Sequence, residues 1–246
     1  MTWRARRSIA ALVLATGAAV AVVWATVREW PAPVAPPPPE PAASVLSLGF
    51  APPAAGTYQL EHILQAPDGA VLESDGSAHR LREFTHGKIT LFSFIYTYCT
   101  DAKGCPLAYA TLHALKESVA ADRRLRGRVR FVSMSFDPQF DTPAMMRAYG
   151  GVEAQAAAPV RWHFLTTSSH TQLAPILDGF GQDASVASAR PAGARAPVLS
   201  HLLKVYLIDA AGAVREIYSP AYLHPAVLYN DILTLHAGER PVRPPV

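Results

Sequence analysis

The chain is poor in charge and in cysteine, and it carries no internal repeat. Charged residues make up 17% of its 246 positions and hydrophobic ones 50%, which excludes a disordered chain and provides for one globular domain with a sizeable core. Four of the 22 basic and two of the 19 acidic residues fall within 1–43, leaving 18 and 17 for the rest. A body that close to neutrality offers no footprint for nucleic acid, and no nucleic-acid partner is expected. With only Cys99 and Cys105 present, the chain can form at most one internal disulfide.

Charge is also missing from Ile9 to Val27, an apolar run of 19 residues preceded by Arg4, Arg6 and Arg7. As a helix it would span roughly 28 Å, about the thickness of a bilayer core. Three arginines before the run, against the mixed pair Arg28 and Glu29 after it, orient a cytoplasmic N-terminus (1–8) and export everything downstream. A transmembrane anchor at 9–27 is expected, and a cleaved signal peptide is the alternative. Either places the body outside the cytoplasm, in a bacterium the periplasm, where two cysteines can also form a purely structural disulfide.

Residues 28–43 form a linker in which seven of the eleven positions from Pro31 to Pro41 are proline, an extended spacer without a packed core. The domain proper is expected over 44–238, with a short tail at 239–246. Tyr58–Leu64 and Ala70–Leu72 flank Ala66-Pro67-Asp68-Gly69, which predicts an N-terminal hairpin. Lys88–Tyr96 is a nearly continuous apolar and β-branched run, the pattern of a central strand covered on both faces. A helix beginning at Pro106, a strand over Val129–Phe136 and a helix from Pro143 to the Gly150-Gly151 stop follow. Next come a strand over Trp162–Leu165 and a helix capped by Ser169 with Gln172. Gly181–Pro197 reads as a loop, Leu202–Asp209 and Ala213–Tyr218 as a hairpin, and Pro225–His236 as the closing helix. This order predicts an α/β fold of thioredoxin-like architecture: a central mixed sheet flanked by helices, with extra N-terminal elements.

Cys99 and Cys105 fall between the end of the central strand and the start of the next helix, where open α/β sheets place their ligands. Cys105 reads as the N-cap of that helix, where unpaired N–H groups and the helix dipole favour a thiolate. Thiolates serve both disulfide exchange and soft-metal ligation. The five intervening residues would set the cysteines about 240° apart on one helix, so Thr100–Gly104 must be a loop that folds back. Two thiolates suit Cu(I), and a nearby imidazole would help hold Cu(II). Of the nine histidines, His62, His79, His86 and His113 read as ordinary strand, loop or surface residues. His201 differs, because it stands directly before the apolar strand and after the long loop.

Three blocks in order resemble the Sco/SenC family: Phe94-Ile95-Tyr96-Thr97-Tyr98-Cys99 with Cys105-Pro106, then Ser135-Phe136-Asp137-Pro138-Gln139-Phe140-Asp141-Thr142-Pro143, and His201 ahead of Tyr206-Leu207-Ile208-Asp209. The resemblance covers about 54–236. It implies a thioredoxin-like, membrane-anchored protein whose Cys99, Cys105 and His201 bind a copper ion. It further implies a role in delivering copper to the dinuclear copper site of cytochrome c oxidase, or in keeping that site's thiols reduced. The implied partner is the copper-receiving oxidase subunit or another copper or thiol protein. Asp137 and Asp141 match the family's acidic pair and read here as cap and turn residues. The spacing departs from the family's three residues between cysteines, with Asp101 and Lys103 inside the enlarged loop. A metal-independent thiol–disulfide oxidoreductase using Cys99 and Cys105 as its redox pair remains the alternative.

Overall fold

The computed structural model describes residue 48 and residues 50–238, apart from 100, 102, 103, 156, 183 and 187–198; for 184–186 and 199–201 it describes the backbone alone. The expected anchor at 9–27, the linker at 28–43 and the tail at 239–246 lie outside the described residues. No described helix is long and apolar enough to cross a membrane.

The strands are β1 (Leu64–Gln65), β2 (Ala70–Glu73), β3 (Ala78–Arg80), β4 (Ile89–Ile95), β5 (Val129–Ser135), β6 (Trp162–Thr166), β7 (Ala184–Val186), β8 (Leu199–His201), β9 (Val205–Ile208) and β10 (Ala213–Tyr218). The helices are α1 (Arg82–Thr85), α2 (Cys105–Ala121), α3 (Pro143–Gln155), α4 (His170–Phe180) and α5 (Pro225–Gly238). Eight strands form one sheet in the order β1-β10-β9-β4-β5-β6-β2-β3, and β7 pairs with β8 in a small sheet of its own. β4, β5 and β6 run parallel, while β9 lies antiparallel to β4. Every residue of β4 and β5 is buried, as a continuous apolar run predicts for strands covered on both faces.

Alternation along β4 sends Phe92 and Phe94 to one face. Phe92 stacks on Phe180 of α4 at 4.7 Å, and Phe94 stacks on Phe136 at 5.2 Å. Helix α2 buries Ala108, Leu112, Leu115 and Val119, one stripe at three- and four-residue spacing, and packs against α5. The hydroxyl of Ser169 accepts from Gln172 N–H, forming the predicted cap of α4.

Three expectations need correction. The N-terminal hairpin forms one strand later than predicted, between β2 and β3. β1 instead pairs with β10 at the opposite edge of the sheet, Leu64 beside Val214. Residues 50–63 reach that edge by running along α5, where Asn230 donates to the Pro53 carbonyl and Gly56 N–H to Thr234 Oγ1, each bond fixing the strap from a distant element. The glycine pair does not stop α3: Gly151, at φ 51°, bends the backbone and helix resumes to Gln155. The Gly181–Pro197 loop contains β7, which runs along the strand carrying His201.

Candidate metal centre

The parallel and antiparallel pairings bring the C-terminal ends of β4 and β5 and the start of β9 to one edge of the sheet. Phe136 N–H donates to the Ile95 carbonyl at 2.9 Å and holds the first two exits together. Beyond Ile95 the chain turns tightly, Cys99 N–H donating to the Tyr96 carbonyl at 3.2 Å.

This turn is fastened by the two carboxylates of the β5–α3 loop. Asp141, fully buried, accepts at Oδ2 from Thr97 N–H (3.1 Å) and Ser135 Oγ (2.6 Å), and at Oδ1 from Thr97 Oγ1 (2.5 Å). Asp137 accepts from the Tyr98 hydroxyl at 2.5 Å and from Gln139 N–H in its own turn. The two residues immediately before Cys99 are thus both pinned to the β5–α3 loop. Asp137 is a turn residue as expected, but Asp141 is not a cap: Thr142 Oγ1 faces Met145 N–H at the start of α3, and Asp141 reaches back to Thr97 in the turn after β4 instead. Burial holds the Asp141 carboxyl above the ordinary carboxylate range, against the hydrogen bonds from Ser135 and Thr97 that favour its charge.

No disulfide joins the two cysteines. Cys99 is half-buried and Cys105 only 1% exposed, with the two thiols in hydrogen-bond contact. The expected loop therefore folds back and joins the sulfurs. Gly104 N–H donates to the Asp101 carbonyl at 2.9 Å, a turn that delivers the chain into α2. Gly104, and not Cys105, is the residue preceding that helix, with Cys105 and Pro106 in its first turn.

The ionisation expected of Cys105 is also corrected. The adjacent Cys99, first as hydrogen-bond partner and also through its charge, and then burial, push the Cys105 thiol well up; backbone groups at Tyr96 and Cys105 oppose this. A neighbouring sulfur and a dry site outweigh the helix terminus, because a second thiolate beside the first gains no solvent to spread its charge. The Tyr96 phenol is raised by burial and by its hydrogen bond to Cys99. Nothing but its place in the motif marks Tyr96 in the sequence.

His201 closes β8, its backbone opposite Ala184, and its side chain lies outside those described. The residues directly after it, Leu202, Leu203 and Lys204, line a cleft of about 300 Å³ whose other walls include Asp101 and Gly104 of the cysteine loop and Ser219-Pro220. The segment following His201 thus faces the cysteine loop. Among the described residues, no group of three His, Cys, Asp or Glu side chains is placed to hold a metal ion. The pair of contacting sulfurs suits a soft ion such as Cu(I), with a third donor needed from outside that set. His79 engages exposed Glu83, and half-buried His113 reaches buried Glu153, away from the cysteines. His170, to which sequence reasoning gave no role, stands 3.7 Å from Asp137 at the rim of the site.

No curated protein matches the chain. Solved structures do. Copper-bound ScoI of Bradyrhizobium japonicum is 20% identical, with 70% of this chain and 99% of that one covered at a TM-score of 0.56. BsSco, described with a disulfide switch and as a member of the Sco family of cytochrome c oxidase assembly proteins, is 21% identical (73% and 98% covered, TM-score 0.55). A SCO1/SenC family lipoprotein of Bacillus anthracis is 23% identical (74% and 99% covered, TM-score 0.56). These likenesses establish the fold. The SCO1/SenC family profile matches residues 70–237, over half of the sequence, and the chain belongs to that family.

Proposed function

We propose that this chain is an extracytoplasmic copper-binding protein that delivers copper to the dinuclear copper site of cytochrome c oxidase, or keeps the thiols of that site reduced. The observation that carries the reading is the contact, without a disulfide, between two sulfurs at the β4–α2 corner. The ligands are Cys99, Cys105 and His201. Support for the third comes from the cleft that sets Leu202–Lys204 against the cysteine loop. Support for copper comes from the donor chemistry and from the relative that holds it. Residues 9–27 anchor the protein to the membrane, in line with the lipoprotein relative.

The chain's own residues prepare the site before copper arrives. Asp141 and Asp137 hold the turn that carries Cys99, so little ordering remains at binding. Copper displaces a proton from Cys105, whose thiol the dry pocket keeps protonated beforehand.

A titration of the reduced protein with Cu(I) is the test. One equivalent should bind, Cys99→Ser and Cys105→Ser should abolish it, and His201→Ala should weaken it. Retention of copper by either cysteine variant refutes the reading.

The same sulfur contact supports a second reading, metal-free thiol–disulfide exchange, and one relative is described with a disulfide switch. Cys99, the more exposed sulfur, attacks a partner disulfide and releases one partner thiolate. Cys105 then attacks the mixed disulfide, leaving a Cys99–Cys105 disulfide and the partner dithiol, two electrons passing to the partner. Under this reading His201→Ala leaves the exchange rate unchanged.

A further inference from the structure

At the end of the sheet opposite the cysteines, about 23 Å away along the seven residues of β4, the surface is strongly basic. Lys88 immediately precedes β4, Arg128 precedes β5 and Arg161 precedes β6. The register Ile89 beside Val129 and the bond from Phe131 N–H to the Arg161 carbonyl set these three strand heads side by side. The α2–β5 loop adds Arg123, Arg124 and Arg126, and Gly127 N–H ties it to the β6 approach through the Pro159 carbonyl at 3.1 Å. All five arginines are exposed and Lys88 is half-buried.

Two nearby acids are already engaged by arginine, and Glu73 meets His163, near the head of β6, at 2.6 Å. Asp122 takes Arg124 at 2.6 Å and the Tyr229 hydroxyl at 2.9 Å, and Asp209 takes Arg215 at 2.8 Å. Among the described residues, Lys88, Arg123, Arg126, Arg128 and Arg161 have no carboxylate at ion-pair distance. In a domain whose charges otherwise nearly balance, this is a segregated positive pole.

We propose that this pole docks on the anionic headgroups of the membrane, leaving the cysteine end directed away from the lipid. The proposal rests on the reading of residues 9–27 as an anchor, since a tether keeps the domain within reach of the bilayer. Charge complementarity favours lipid over a protein partner. The loops of this pole contain none of the large exposed apolar residues that protein interfaces use as anchors. The opposite end has them: Phe140 (43% exposed) packs on Tyr98 beside the site, and Leu202 (73%) lines the cleft against the cysteine loop. A surface of long cations, all but Arg124 without a carboxylate partner and without apolar anchors, suits a field of phosphates, where each contributes a roughly fivefold attraction.

The experiment places the full chain in nanodiscs of phosphatidylcholine, with or without roughly one-third phosphatidylglycerol, and follows arginine modification by phenylglyoxal with mass spectrometry. Arg123, Arg126, Arg128 and Arg161 should react at least about fivefold more slowly in the anionic discs. Arg147, exposed on α3, should not change. The slowing should vanish in about 0.5 M NaCl and, for Arg128 and Arg161, in the R123E/R126E variant. Equal rates at the pole in both kinds of disc overturn the proposal, and an acidic protein would then be the partner to seek. The anchor is read separately, from co-elution with neutral discs at high salt. If that fails, the anchor reading falls; the pole is then tested by salt-reversible sedimentation with anionic vesicles, and its absence refutes docking.

Discussion

Replacing Asp141 tests whether the metal corner is held by one buried carboxylate. In Asp141→Ala, Thr97 N–H, Thr97 Oγ1 and Ser135 Oγ all lose their acceptor in a site without water access. Each buried donor left unpaired costs about 1–3 kcal/mol, but the hydroxyls can rotate toward other carbonyls. Counting the rigid N–H in full, the hydroxyls in part and the void left by the carboxyl, the loss is about 4 kcal/mol. Asp141→Asn keeps the shape and one oxygen, which can retain Thr97 N–H and Ser135, while its NH2 donates to Thr97 Oγ1. That variant should lose only about 1 kcal/mol. Urea denaturation followed by the fluorescence of buried Trp162 measures both, with thiol reactivity as a local readout that should rise in the alanine variant. An alanine variant within about 1 kcal/mol of wild type, or an asparagine variant as weak as alanine, would refute the account of Asp141 as the fastener of this turn.

Alkylation of the reduced, metal-free protein should label half-buried Cys99 at least about tenfold faster than Cys105, because burial and the adjacent sulfur keep the Cys105 thiolate scarce. Peptide mapping at short times checks this, and equal labelling contradicts it. Asp231 accepts the hydroxyls of Tyr58 (2.5 Å) and Tyr218 (2.6 Å), and burial holds its carboxyl above the ordinary range. A raised folded value favours the protonated form, so its stabilisation is complete below the unfolded value and is lost as pH rises through the folded one. The stability gap between wild type and Asp231→Asn should therefore narrow as pH rises above about 4; a gap that widens reverses the sign of the argument. Gly212→Ala, at φ 85° and with a Cβ only 2.3 Å from His86 Cε1, should cost about 2–4 kcal/mol by denaturation, and a neutral result would show that the turn relaxes freely.

Local chemistry was enough to determine the central strands and the long helices of this protein. The Lys88–Tyr96 run became a fully buried β4, Ser169 became the cap of α4, and Gly212 closed the β9–β10 hairpin, because each signal acts within a few residues of its cause. The cysteine pair was equally legible, since its spacing and its place between strand and helix follow from the same short-range rules. Pairing across the chain was not. β1 chose β10, Leu64 beside Val214 and 150 positions away, over the nearby β2, since β1 closes one edge of the sheet and β2 lies next to the other, positions that only the assembled sheet decides. Asp141 lies 44 residues from Thr97, and no local pattern announces that bond. The ionisation of Cys105 was likewise a tertiary decision. A helix terminus read alone favours the thiolate, but burial and the second sulfur act through space, and in a dry site they prevail.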